Sequence, residues 1–280
     1  MTYYFHPRFS SLDLAVIRGP GAGLGNLLFP LARAIGYARA HKGILIEPTW
    51  RNLKLGPFLR RERDKRTYGD LFIHRSIRQI VGGITRRALV PRRLTEEGFL
   101  HGIPESSTRP TLVNVEGMGN EFKDIAGMGA ELREWLLARL RVRPESMPLP
   151  FVALHIRLGD FGSAALDSYK RNTRIELDWF RNEAFRVRLL LGDMPIYVFS
   201  DEDSPRLRTA LEGIQNIKFL RPTNAATDML RMANAQHIIA SNSTFSLWAA
   251  FMGTGTVSTR FGELFTDYGL DDPTFVARIC

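Results

Sequence analysis

Between Phe151 and Met252, apolar runs too short to be helices alternate with segments of helical period, and this alternation restricts the fold more than any other feature. Phe151 to Ile156, Pro195 to Ser200, Ile217 to Leu220 and His237 to Ala240 read as strands. Glu176 to Leu191, Ser204 to Leu211, Ala226 to Ala235 and Thr244 to Met252 read as helices, with Ser204 as N-cap and Pro205 at the first helical position. Strands joined through helices of this length must run parallel. The expected architecture is therefore α/β, a doubly wound parallel sheet with ligands at the carboxyl ends of its strands.

The first half carries a similar unit. Ala15 to Gly19 reads as a buried strand that breaks into Pro20, Gly21, Gly23 and Gly25. Leu27, Leu28, Leu31, Ala34, Ile35 and Ala38 then recur at helical spacing from Leu24 to Lys42, until Gly43 stops the pattern. Ile44 to Ile46 follows as a strand ended by Pro48, completing a right-handed β-α-β unit. From Trp50 to about Arg109 no period is clear, which predicts short helices and loops; Leu112 to Val115 reads as a strand and Ala130 to Leu140 as a helix. Pro144, Pro148 and Pro150 mark Arg141 to Pro150 as a linker, so the predicted domains are residues 1–143 and 144–280. With 280 residues, 44% of them hydrophobic, the chain can fill two cores of about 140 residues each.

Charge and composition narrow the class further. The net charge is +9, yet Arg51 to Arg93 alone holds 13 Lys or Arg against Glu62, Asp64 and Asp70, which leaves the rest of the chain near neutrality. Such a run is most simply a solvated basic face, but it is dense enough to attract an anionic membrane surface. It lacks interleaved aromatics and zinc-finger spacing, so nucleic acid is not expected as a partner. No apolar stretch approaches the length of a membrane span, no secretory leader is visible, and the single cysteine, Cys280, excludes an intramolecular disulfide. The expectation is a cytoplasmic protein, peripheral on the inner face of the membrane through Arg51 to Arg93.

Four segments could carry chemistry. Gly21-Ala22-Gly23-Leu24-Gly25-Asn26 joins a strand to a helix and could offer backbone N–H groups to a phosphate or sugar; it departs from the dinucleotide spacing and equally fits a tight turn. His155 to Asp160 ends the first strand of the second half, where Arg157 has the planar fork that suits a diphosphate. A structural Arg157–Asp160 pair and a satisfied core His155 are the alternative. Asp201-Glu202-Asp203 could hold Mg²⁺ but reads better as an acidic helix start, and no metal site is expected. The strand His237 to Ala240 runs into Ser241-Asn242-Ser243-Thr244, an anion site or a plain N-cap, with Trp248 in the core.

In their order these segments resemble the bacterial-type alpha-1,2-fucosyltransferases of glycosyltransferase family 11. The pattern G-x-L-G-N-Q-M-F-Q-x-A is similar to Gly23 through Ala32, H-x-R-R-G-D to His155 through Asp160, F-S-D to Phe199 through Asp201, and D-x-x-x-M-x-x-C/A-x-H-x-I-I-A-N-S-[ST]-F-S-W-W to Asp228 through Trp248. Leu27, Leu158 and Leu247 stand where the patterns have glutamine, a second arginine and tryptophan. The resemblance implies a GT-B-like fold, two Rossmann-like domains with parallel sheets facing across a cleft. It implies an inverting, metal-independent transfer of fucose from GDP-fucose to a hydroxyl, the 2-OH of a galactoside, on a glycan or lipid-linked oligosaccharide acceptor. Arg157, His155 and Asn26 would be the catalytic residues, and Gly25, Arg157, Asp228, Ser243, Thr244 and Phe245 the donor-binding ones. No cofactor is implied. The resemblance marks no base; Asp160, Asp167 and Glu47 are candidates. The alternatives are a transferase for another GDP-sugar and a non-enzymatic basic adaptor for membrane or nucleic acid.

Overall fold

The computed structural model describes residues 2–9, 17–18, 23–48, 50, 53–54, 68, 71–73, 77–102, 109–158, 174–260, 262–270 and 278. The chain divides into two compact units, Met1–Met128 with Trp135–Val142, and Gly129–Glu134 with Arg143–Cys280. Each is built on a parallel sheet and is Rossmann-like in its alternation of strands and helices.

In the first unit the described elements are β1 (Tyr3–Arg8), β2 (Ile17–Arg18), α1 (Leu24–Ala40), β3 (Ile44–Leu45), β4 (Leu53–Lys54), α2 (Ile77–Leu89), β5 (Arg92–Thr95), α3 (Glu96–Leu100), β6 (Thr111–Glu116) and a 3-10 helix, Glu121–Ile125. A further helix, α4 (Gly129–Leu137), runs across the division between the units. The sheet order is β3-β1-β6-β5, with every pair parallel. The strand that pairs with Ile44–Leu45 is therefore β1, not the predicted run Ala15 to Gly19, of which Ile17–Arg18 pairs with β4 in a separate two-stranded piece. Tyr3–Arg8 hides its strand character because His6, Pro7 and Arg8 interrupt any apolar run, but its Phe5 is fully buried and packs against the rings of Tyr37 and Phe99. The supposedly aperiodic middle likewise holds α2 and an edge strand, β5, whose Arg-Arg-Leu-Thr sequence has no apolar run to betray it.

Two constraints lock α1 onto this sheet. A β-carbon on Gly43 would stand 2.6 Å from the Phe5 ring, so the chain can turn from α1 into β3 this close to β1 only as glycine. Arg33, 2% exposed, is the second. Its Nε and Nη2 donate to the Glu96 carboxylate at 2.7 and 3.1 Å, and Nη2 also donates to the carbonyls of Glu116 and Gly117 at 2.7 and 3.1 Å. The Tyr37 hydroxyl donates to the same carboxylate at 3.0 Å, and burial together with that carboxylate raises the pKa of the phenol. One buried cation thus ties α1 to α3 and to the carboxyl end of β6.

The second unit contains β7 (Val152–Ile156), α5 (Leu177–Leu191), β8 (Ile196–Ser200), α6 (Pro205–Ala210), β9 (Ile217–Phe219), α7 (Ala225–Met232), β10 (His237–Ala240), α8 (Thr244–Met252), β11 (Thr256–Thr259) and α9 (Glu263–Asp267). The expected N-cap is present, since the Ser204 hydroxyl accepts from the Leu207 N–H. The order β11-β10-β7-β8-β9 is parallel throughout. Counted from β7 this is 3-2-1-4-5, the order of a doubly wound nucleotide-binding sheet, and its direction reverses between β7 and β10. Val152, Leu154 and Ile156 pack with Phe180, Ala184 and Val187 of α5, while Leu247 and Trp248 of α8 are fully buried.

The Arg33 cluster yields a stability prediction. Arg33→Met removes a buried charge that four oxygens were positioned to receive, leaving two carbonyls without this donor and the Glu96 carboxylate with Tyr37 in place of its cation. The loss should be about 3 to 5 kcal/mol. Urea unfolding of the variant within about 0.5 kcal/mol of wild type would show that the cluster does not hold the unit together.

Candidate active site

The reversal between β7 and β10 defines where a ligand should sit, because there the two following connections diverge and open a crevice at the carboxyl edge. On the β7 side stand His155 and Arg157. Beyond β10, Ser241 to Ser243 lead into α8.

His155 is 4% exposed, and its Nδ1 lies 2.7 Å from the Ser241 hydroxyl and 2.5 Å from that of Ser246; the two hydroxyls are 3.1 Å apart. The Phe245 ring lies against the imidazole, centroids 5.2 Å apart. Burial, reinforced by the Arg157 cation, brings the His155 pKa down from 6.5 to about 3. The ring is therefore neutral at physiological pH, with Nδ1 committed to the two serines. It fits the alternative of a satisfied buried histidine, placed at the carboxyl edge of the sheet.

Arg157 is held from the neighbouring strand. Asp201, the residue after β8, sets Oδ2 3.2 Å from the Arg157 Nε and accepts the Leu158 backbone N–H with Oδ1 at 2.9 Å. This corrects the reading of Asp201 as part of a helix start. Its strand pairs with β7 so that Ser200 faces Ile156, which brings the next residues of both chains level. Of the three acids, Asp203 pairs with Arg208, at 2.7 Å. Among the described residues no group of three metal-ligating side chains converges.

Ser243 caps α8, its Oγ accepting the Phe245 N–H at 3.2 Å. The anion-site donors expected in this turn are thus arranged around a cap. Asp228, in the first turn of α7, accepts from the Thr223 N–H at 3.2 Å and hydroxyl at 2.8 Å, with Arg231 at 3.6 Å. Burial raises its pKa against the opposing effect of those partners. Gly25 and Asn26 lie in the first turn of α1, in the other unit. Of the candidate bases, Glu47 accepts from Arg139, and Asp160 and Asp167 lie outside the described residues.

His237 contrasts with His155. Its Nδ1 is 2.7 Å from the Thr256 hydroxyl and its Nε2 3.0 Å from that of Ser258, so both nitrogens tie β10 to β11. Burial brings its pKa to about 4. Sequence reasoning missed Asp201, Ser241 and Ser246 as supports of the site. The F-S-D and S-T-F-S patterns contained Asp201 and Ser246, but their partners lie on other strands.

Both histidines bind fewer protons folded than unfolded between about pH 6.5 and pH 4, so stability is greatest above that window and falls as pH drops through it. From about pH 7 to pH 5 each should withdraw roughly 2 kcal/mol of unfolding free energy. Chemical denaturation across this range, with NMR of the His155 ring, checks it. An ordinary titration midpoint for His155 would contradict the buried geometry.

Residues 130–261 match the sequence model described as Glycosyl transferase family 11. Every site residue of the second unit lies inside that match. No curated protein matches the chain significantly. Among solved structures, apo POFUT1 is similar at 14% identity and a TM-score of 0.47, over 93% of this chain and 98% of that one. POFUT1 in complex with GDP-fucose gives 13% identity and a TM-score of 0.47, over 93% of this chain and 97% of that one. The E. coli heptosyltransferase WaaC with ADP gives 12% identity and a TM-score of 0.41, over 92% of this chain and 86% of that one. The region that carries His155, Arg157, Asp201 and Asp228 is thus similar in sequence to glycosyltransferase family 11.

Proposed function

We propose that the protein transfers fucose from GDP-fucose to a hydroxyl of an acceptor glycan, the 2-OH of a galactoside, with inversion at the anomeric carbon. The observation that carries this reading is Arg157 held at the carboxyl end of the central strand by a carboxylate from the adjacent one, beside the reversal of the sheet.

As the bond between the fucosyl carbon and the phosphate oxygen breaks, negative charge grows on the departing GDP. A guanidinium with fixed orientation gains more from that charge than from the intact donor, which is the condition for lowering the barrier. Asp201 engages Nε and so orients the guanidinium that would meet the diphosphate. The turn Ser243, Thr244 and Phe245 begins a nine-residue helix, and its N–H groups would add hydrogen bonds to the same oxygens, the Phe245 N–H exchanging Ser243 Oγ for phosphate. The half-buried Asp228 would accept the guanine N–H groups, and Gly25, Asn26 and His155 would line the sugar. With charge neutralised by Arg157 and backbone donors, the reaction needs no metal. The acceptor, a glycan or lipid-linked oligosaccharide, gives up its hydroxyl proton as the new glycosidic bond forms.

Transfer of fucose from GDP-fucose, followed by NMR of the product, tests the reading. Arg157→Ala should lower turnover by about 10²-fold or more with the fold retained. Wild-type turnover should survive EDTA. Near-normal transfer by folded Arg157→Ala would remove Arg157 from the mechanism.

A further inference from the structure

Helix α2 faces the wrong way for a helix whose apolar side serves the core. Val81 is 53% exposed, Ile84 42% and Leu89 75%. Val81, Ile84 and Ala88 recur at i, i+3 and i+7 and form one stripe along the helix, with Leu89 exposed at its C-terminal end. The opposite side is the packed one. A β-carbon at Gly83 would lie 3.9 Å from Ile46 Cγ2, and Ile46 belongs to a small buried cluster with Val90 and Leu112. Gly83 thus faces the body of the unit, while Val81, Ile84 and Leu89 face outward. Single exposed aliphatics are ordinary on a protein surface; a row of them on one helix face, backed by glycine, is not.

The charge around this stripe indicates what covers it. From Ile77 to Thr95 the chain has five arginines and no acidic residue. Arg86 and Arg87 occupy the last turn of α2, Arg92 and Arg93 follow on β5, and Arg93 Nη2 donates to the Arg87 carbonyl at 3.1 Å, holding a cation at the helix C-terminus. A water-soluble partner protein would need an apolar groove ringed with acid. An anionic bilayer interface supplies both requirements at once, an acyl boundary for the stripe and headgroup phosphates for the arginines.

We propose that α2 is a membrane-docking element that lies in the interface of an anionic bilayer, with Val81, Ile84 and Leu89 immersed and the arginines of its last turn and of β5 among the headgroups. The assignment is independent of the sugar transferred, because none of these residues belongs to the candidate active site.

Co-sedimentation with phosphatidylcholine vesicles, with and without phosphatidylglycerol, tests it on the full chain. Wild type should bind only the anionic vesicles. The combined Val81→Asp, Ile84→Asp and Leu89→Asp variant should lose binding by about tenfold or more, with its thermal unfolding unchanged because these side chains leave the core untouched. In a separate Leu89→Trp variant, indole emission should move to shorter wavelength on adding anionic vesicles. Three results would overturn the proposal: undiminished binding by the triple aspartate variant, Leu89→Trp emission that vesicles do not move, or a wild-type dimer that the aspartates convert to monomer while neither form binds vesicles. The last would assign the stripe to a second copy of the chain.

Discussion

A carboxylate that reaches from the end of one parallel strand to the end of the next organises the carboxyl edge of the second unit's sheet. Asp201 follows β8, and its two oxygens engage the Arg157 guanidinium and the Leu158 amide beyond β7. Both charged groups are partly exposed, so the ion pair itself contributes no more than about 1 kcal/mol to stability. Its consequence is geometric. A long side chain that would otherwise sample many rotamers is given one direction, beside the point where the sheet reverses. The barrier to transfer responds to such placement far more steeply than folding stability does.

Around that clamp the unit separates two kinds of buried polarity. His237 spends both ring nitrogens on hydroxyls of the neighbouring strand, so it stitches β10 to β11. His155 commits Nδ1 to two serines that follow the carboxyl end of β10, one of them inside α8. The difference follows from position along the strand: His237 is the first residue of β10, whereas His155 is the penultimate residue of β7, at the edge where doubly wound sheets bind ligands. Both rings are neutral because burial penalises the charged form, yet only His155 is near groups that could meet a substrate. In the first unit Arg33 plays the structural counterpart, a buried cation whose Nε and Nη2 join α1, α3 and β6.

Much of the second unit was legible because its local signals agree with its tertiary structure. His237 to Ala240 and Thr244 to Met252 are apolar runs bounded by polar turns, and the strand and helix have those limits. The first unit was less legible. Tyr3–Arg8 becomes the centre of a sheet through pairing with β3 and β6, contacts that its own composition does not announce. Arg92–Thr95 needs only one neighbour and so carries no buried run. Within the site, Arg157 and Ser243 stood out by residue type and by their place after strands. Asp201 could not be assigned a partner, since its level with Arg157 depends on strand register, a long-range property. The outward stripe of α2 was hidden for the opposite reason. No clear period marks this segment, and even a helical period identifies an apolar side but not whether the fold covers it.

The central claim is that Arg157 recognises the diphosphate whose charge develops during transfer. Calorimetric titration with GDP and GMP, on wild type and on folded Arg157→Ala, tests it most directly. Wild type should bind GDP at least about tenfold more tightly than GMP, and the variant should bind the two nearly alike, because the guanidinium contact to the terminal phosphate is the difference between them. Equal preference for GDP over GMP in both proteins would contradict the account and move diphosphate recognition to another residue.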